Sequence, residues 1–240
     1  GLVAFPTETV YGLGAAGLNA AAVRRVYEAK RRPPSNPLIL HVADEAMAKD
    51  LAADWPECAR RLAARFWPGP LTLVLRRRQG LESLALAGDG TVALRCPAHP
   101  VALKLLRASQ LALAAPSANP SGALSPVTAA HVLAGLDGRI DAVVDGGACA
   151  VGIESTVVDL TGPYPVVLGV GVEMATGSPG EGEGVLRSPG MLERHYAPPV
   201  PLVLARDREE AGQAGPGDVV LWCGPRGEGA AGAACLEAPA

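Results

Sequence analysis

Towards residue 170 the chain sets three apolar, β-branched runs in succession, DAVVD (141–145), STVVDL (155–160) and PVVL (165–168), with no helical stretch between them. LTLVLR (71–76) and TVALR (91–95) follow one another in the same way. A parallel βαβ repeat needs a crossover of a dozen or more residues between neighbouring strands, usually a helix. This order therefore excludes a purely doubly wound sheet and predicts a mixed sheet of the α/β class, α+β in type. Helices are expected from Asn19, a suitable N-cap, to Lys30, with Val23, Val26 and Tyr27 on one face, and over Asp44 to Ala53, Glu57 to Phe66, His99 to Ser109 and Thr128 to Leu136. Leu2 to Phe5, PLILHV (37–42) and LALAAP (111–116) read as further strands, and PTETVYGLG (6–14) as a polar, Gly-rich turn.

With 240 residues, 49% of them apolar, the chain can bury one substantial core and part of a second. From Gly169 to Pro199 the composition shifts to Gly, Pro, Ser and Glu, as in a linker. Beyond it VPLVLA (200–205) and DVVLWC (218–223) are strand-like, and a stretch this short reads as the beginning of a second domain. A start without Met, directly in a strand-like run, reads likewise as a missing native N-terminus. The formal net charge of −3 excludes the overall basic field that drives non-specific nucleic-acid binding, so any anion site is local. Five cysteines, far apart and without a CxxC pair, argue against structural zinc or a disulfide framework and fit a reducing cytoplasm. No apolar run approaches the roughly 18 residues of a membrane span.

One local anion site stands out. Lys30, Arg31 and Arg32 end the first expected helix, and Pro33 stops it. A cation in a last helical turn gains about 0.3–1 kcal/mol from the helix dipole, which accounts for one such residue but not for three beside a rigid Pro-Pro exit. A rigid cationic loop suits phosphate. The helix-end position also implies that Lys30 and Arg32 can be removed without loss of the fold. SANPSG (117–122) follows a strand with small polar side chains and a Gly, material that serves turns and can wrap phosphate oxygens. In GIEST (152–156), Glu154, Ser155 and Thr156 stand at a strand entrance, where edge capping is the ordinary role. Arg95 ends a strand and is expected to be solvated; His41, in an apolar run, is expected to be a satisfied core residue. There is no HExxH, GxSxG, GxxxxGK[ST] or GxGxxG motif.

Taken in order, FPTETVYGLG (5–14), KRRPPSNPLILH (30–41), FWPGPLTLVL (66–75), VALRCPAHP (92–100), APSANPSG (115–122), DGGACAVGIESTVVDL (145–160) and SPGMLERHYAPPVPL (188–202) resemble the threonylcarbamoyl-AMP synthase family. The resemblance covers about residues 1 to 168 and resumes at 188, in a block similar to the linker of the family's long, two-domain form. It implies a YrdC-like twisted mixed sheet flanked by helices over residues 1–171, a linker or lid over 172–199 and the start of a Rossmann-like domain over 200–240. It also implies a cytoplasmic nucleotidyltransferase that makes threonylcarbamoyl-AMP and pyrophosphate from L-threonine, bicarbonate or CO2, and ATP, with Mg2+ accompanying the nucleotide. The product would serve threonylcarbamoyladenosine formation on tRNA.

By matching position, the resemblance implies that Arg32, Asn36, Thr91, Ser117 and Ser125 contact ATP, with Lys30 beside the reacting phosphate and Lys30 and Arg32 as the catalytic pair. Thr9, His41, Arg95, the backbone at Ala115 and Ser155 would hold L-threonine. It implies no particular metal ligands. One departure matters: the family carries Arg-Pro-Gly after the strand matching PVVL, with the arginine reaching ATP, and this chain has Gly169, Val170 and Gly171 there. Two alternatives share such a pocket. A HypF-like carbamoyltransferase module is disfavoured by the linker block, and an RNA-binding YrdC-like module by the charge balance and an aromatic content of 4%.

Overall fold

The computed structural model describes residues 1–86, 90–162 and 165–169, together with the backbone of strands at 202–205, 219–222 and 234–237. The chain divides into two compact units, Gly1–Tyr196 and Ala197–Ala240. The linker or lid expected over 172–199 lies outside the described residues.

The first unit is built on nine strands: β1 (Val3–Phe5), β2 (Gly12–Ala16), β3 (Leu40–His41), β4 (Leu71–Arg76), β5 (Thr91–Arg95), β6 (Leu113–Ala114), β7 (Ala142–Val143), β8 (Thr156–Asp159) and β9 (Val166–Gly169). Their order in the sheet is β7-β1-β2-β6-β3-β5-β4-β8-β9. The β7/β1, β3/β5 and β4/β8 pairs are parallel and the others antiparallel, the mixed sheet that runs of neighbouring strands require. Helices α1 (Ala20–Lys30), α2 (Glu45–Lys49), α3 (Glu57–Phe66), α4 (Pro100–Ser109) and α5 (Ala129–Leu136) complete it. Asn19, Asp44 and Thr128 cap α1, α2 and α5 through side-chain oxygens that accept backbone N–H groups, as expected of these residue types.

Several elements are shorter than their apolar runs. PLILHV contributes only Leu40 and His41 to a strand: the Leu38 N–H donates outside the sheet to the Ala85 carbonyl, and the ladder to β5 ends with the Val42 N–H on the Arg95 carbonyl. Helix α2 stops at Lys49 rather than Ala53, where Ala52 instead forms a bridge to Arg77. Helix α1 ends before Pro33, at Lys30; Arg31 caps it with a left-handed φ of 52°, which turns the next N–H, that of Arg32, back onto the Tyr27 carbonyl. Strand β2 begins in the last residues of the stretch expected to be a turn and runs on to Ala16. Its GLGAA sequence has low strand propensity, but Gly14 is needed there, since a Cβ on it would stand 2.7 Å from the Phe5 ring.

Alternation along β3, β4, β5 and β8 sorts side chains onto two faces. Leu40, Leu73, Leu75, Val92, Leu94 and Val158 join the main core, with Val23 and Val26 of α1, Ala59 and Ala63 of α3, and Val132 and Leu136 of α5. The opposite face carries two smaller clusters, Phe5, Ala102, Leu106, Leu113 and Ala115 around α4, and Ile39, Val74, Ala93 and Val157 with Leu168. Thr72, Thr91, Arg95 and His41 share that second face by register.

In the second unit, β10 (Leu202–Ala205), β11 (Val219–Trp222) and β12 (Ala234–Glu237) form a parallel sheet in that order. The first two match the expected runs. The third lies in a stretch too rich in Ala to signal a strand.

Candidate active site

A pocket opens on the second face of the large sheet, lined by Thr7, Thr9, Gly12, Arg32, Ile39, His41, Arg95, Ala115, Ser117 and Glu154 among others. Six of the residues expected to contact a ligand therefore meet there, from positions 9 to 117 of the chain: Thr9, Arg32, His41, Arg95, Ala115 and Ser117. Strand register explains part of this. His41 is paired with Arg95 on the parallel β3/β5 pair, and Ala115 extends β6 beyond its partner β3 through an N–H bond to the Ile39 carbonyl.

Arg95 is 3% exposed and not the solvated strand end its position suggested. Its Nη2 donates to Glu8 Oε1 at 2.7 Å and to Thr9 Oγ1 at 2.9 Å. The second Glu8 oxygen accepts the Ala98 N–H at 2.9 Å. The guanidinium is thus fixed from one side, while its buried Nε has no hydrogen-bond partner. Thr7 organises the loop beneath: its hydroxyl donates to the Val10 carbonyl at 2.6 Å and lies 2.9 Å from that of Thr9. His41 is buried edge-on to Phe5, and its Nδ1 has no partner, so it is not the satisfied core histidine expected. Burial, reinforced by the Arg95 charge, pushes its pKa down to about 3, so it is a neutral ring throughout the physiological range.

Lys30 and Arg32 are also buried, at 1% and 6% exposure, which overturns the expectation that they are dispensable to the fold. Lys30 sits in the last turn of α1 but points inward, where Nζ donates at 2.5 Å to the carbonyls of both Ser117 and Asn119. The Lys30 carbonyl in turn accepts the Ser121 N–H. Lys30 therefore ties α1 to the SANPSG loop and does not itself line the pocket. Burial, then the Arg32 charge, lowers its pKa to about 7, while Glu154 acts in the opposite sense. Arg32 lines the pocket and closes its own exit loop, Nε donating to the Asn36 carbonyl and Nη2 to Asn36 Oδ1 at 2.6 Å and the Pro37 carbonyl at 2.9 Å.

The other expected contacts stand behind the lining. Asn36 is fully buried beside Arg32, with its Nδ2 unpartnered. Ser125 Oγ donates to Glu154 Oε1 at 2.8 Å, and Ser155 Oγ lies 2.8 Å from Thr72 Oγ1, the residue paired with Arg95 in register. Thr91 begins β5, four residues and roughly 13 Å of strand from Arg95. Thr72 was not legible as a site residue, and Thr7 and Glu8 were legible only as the threonine and glutamate of a polar turn beside a strand end, material common at binding sites. For Thr72 the alternating pattern of LTLVLR carried a signal, a polar residue at a buried position.

Among the described residues no group of three or more His, Cys, Asp or Glu side chains could hold a metal ion. Nor, among the described residues, is any helix long and apolar enough to cross a membrane.

A mixed sheet with an arginine-floored pocket between a lysine-braced loop and a PTET turn defines a class of fold and site that known proteins share. The chain belongs to the Sua5/YciO/YrdC family, whose model, described as "Telomere recombination", matches residues 1–171; a second model, described as "Threonylcarbamoyl-AMP synthase, C-terminal domain", matches residues 155–231. A protein of Pyrococcus abyssi named threonylcarbamoyl-AMP synthase is 47% identical over 216 residues, which are 85% of this chain and 64% of that protein. One of the same name from Bacillus subtilis is 47% identical over 222 residues, 87% of this chain and 64% of its own length. The chain thus spans just under two thirds of these relatives. The crystal structure of P. abyssi Sua5 complexed with L-threonine matches with a TM-score of 0.80 at 40% identity, over 98% of this chain and 76% of that one.

Proposed function

We propose that this pocket binds L-threonine beside ATP and that the protein forms threonylcarbamoyl-AMP and pyrophosphate from L-threonine, bicarbonate or CO2, and ATP, the product serving tRNA modification. The observation that carries this reading is the buried Arg95, held by Glu8 and Thr9 with its Nε left unpartnered in a pocket. A buried, prepositioned guanidinium is suited to a small carboxylate ligand. The relatives named threonylcarbamoyl-AMP synthase and the threonine complex of P. abyssi Sua5 supply the ligand's identity.

In this reading the threonine carboxylate pairs with Arg95, while Thr9 and the Ala115 backbone meet the remaining polar atoms and Ser155 holds Thr72 behind them. His41, neutral, offers a hydrogen bond without adding charge beside the arginine. Threonine's amine loses a proton and adds to CO2, and the carbamate oxygen attacks the α-phosphorus as pyrophosphate leaves. Such transfer depends on positioning and charge neutralisation more than on covalent help from the protein. Arg32 supplies the cation at the lining. Lys30 acts from behind by holding the carbonyls of the SANPSG loop, so that Ser117 faces the nucleotide in a fixed geometry; Asn36 orients Arg32, Ser125 orients Glu154, and Thr91 lies farther along β5. Mg2+ would accompany the phosphates. Pyrophosphate release from ATP is expected only when L-threonine and bicarbonate are both present. Equal release with glycine in place of threonine contradicts the assignment.

The family resemblance places an ATP-contacting arginine where this chain has Gly169. That residue closes β9 opposite Val157, two residues from Ser155 along the chain of its neighbour, so a side chain there would start at the edge of the same site. Gly169→Arg with Val170→Pro is expected to tighten ATP binding about ten- to 150-fold, the worth of one hydrogen bond to a charged group. Threonine binding should not change. Calorimetric titration with each ligand checks this, and unchanged ATP affinity would contradict it.

A further inference from the structure

Arg95 gives the pocket a cation for one end of an amino acid, yet an amino acid reaches its site as a zwitterion. The other end needs an acceptor. Among the described lining residues Glu154 is the one acid. Glu8, the other carboxylate nearby, is consumed by Arg95 and the Ala98 N–H. Glu154 Oε1 accepts the Ser125 hydroxyl at 2.8 Å, which orients the carboxylate, and Oε2 makes no hydrogen bond within the described residues.

The backbone that carries Glu154 is also held in place. The Cys149 N–H donates to the Val127 carbonyl, the Val151 N–H to that of Glu8 and the Gly152 N–H to that of Thr9, so the loop is stitched to the PTET turn under Arg95. Gly152, at φ +79°, permits the turn that brings the chain from this stitching to Glu154. In the sheet, Arg95 pairs with Thr72 on β4, and Thr72 with Val157 on β8. The chain entering β8 thus lies two strand spacings, about 10 Å, from the backbone of Arg95. Arg95 and Glu154 both line the same pocket. Ser125 fixes one oxygen of this half-exposed carboxylate and leaves the other for a ligand or water.

We propose that Glu154 is the residue that takes the α-ammonium of the amino-acid ligand, opposite Arg95 on its carboxylate. The assignment rests on the threonine reading of the pocket and adds to it the acid that no matched position supplied. It makes the site selective for a zwitterion over a hydroxy acid of the same shape. It also places a negative charge beside the nitrogen until that nitrogen gives up its proton.

The test is a cycle of protein and ligand changes, read by calorimetric titration. L-Threonine and (2S,3R)-2,3-dihydroxybutanoate, in which a hydroxyl replaces the ammonium, are each titrated into the wild-type chain, Glu154→Gln and Glu154→Asp. Glutamine can still accept the Ser125 hydroxyl, and thermal melting of each variant checks the fold. Glu154→Gln is expected to weaken threonine binding about ten-fold or more while leaving the hydroxy acid within two-fold of wild type. Glu154→Asp, which keeps the charge, is expected to retain more of the threonine affinity than Gln. Unchanged threonine affinity in Glu154→Gln, or equal weakening of both ligands, overturns the assignment while leaving the threonine reading intact. A wild-type chain that binds neither ligand overturns the threonine reading itself.

Discussion

Arg95→Lys is expected to weaken L-threonine binding about ten- to 150-fold, the loss of at least one hydrogen bond to a charged group, while ATP affinity stays within two-fold. The charge is conserved in this variant, so the effect isolates geometry. In the native chain Nη2 serves Glu8 and Thr9 at once, and Nε, on a separate atom of the same guanidinium, has no protein partner and is left for the ligand. A lysine ammonium carries its three donors on one atom. It can satisfy Glu8 and Thr9 or move to an incoming carboxylate, and it cannot serve both sides of the site from separate, fixed nitrogens. Separate titrations with the two ligands give the answer. Equal weakening of both would move Arg95 out of the amino-acid subsite.

Lys30→Met is expected to cost about 2–4 kcal/mol of stability, because the Ser117 and Asn119 carbonyls lose their donor in a place water does not reach, and each orphaned group costs about 1–3 kcal/mol. Methionine keeps the length and apolar volume of the side chain, so the loss reports hydrogen bonding rather than a cavity. The variant also has a signature in pH. With its pKa lowered to about 7 in the fold against 10.5 when free, Lys30 binds fewer protons folded than unfolded between those values. Stability from this group therefore rises with pH across that window and is at its least below about pH 7. The stability difference between wild type and Lys30→Met, measured by denaturant titration at a series of pH values, should grow from pH 7 towards pH 10. Taking the difference removes groups that move the other way, such as Cys96, whose thiol is pushed up to about 11 by burial. A difference independent of pH would mean that Lys30 is solvated.

How much of this was legible beforehand depended on how local the cause was. Caps at Asn19, Asp44 and Thr128, the extent of α3 and the strands β4, β5 and β8 follow from neighbours within a few residues, and those were read correctly. Strand β2 was not, because glycine and alanine favour a strand only where a partner such as Phe5 demands close approach. Lys30 and Arg32 show the same limit at the site. Their position at a helix end suggested a cationic loop suited to phosphate and dispensable to the fold, and nothing local in KRRPP says that two carbonyls 87 and 89 residues away will receive the Lys30 ammonium. Arg95 looked like an ordinary strand end until Glu8 and Thr9, brought in by another part of the chain, covered it. The family resemblance named six of the lining residues. Glu154 was legible only as a residue at a strand entrance and Glu8 only as part of a polar turn, and the role of each had to come from the geometry.

The proposed reaction joins threonine, CO2 and the adenylyl part of ATP in this pocket. Mass spectrometry of the small-molecule products after incubation with ATP, Mg2+, L-threonine and isotopically labelled bicarbonate reads it out. Threonylcarbamoyl-AMP that carries the bicarbonate carbon is expected, with pyrophosphate in equal amount. ATP turned over to AMP or ADP with no labelled adenylate would contradict it.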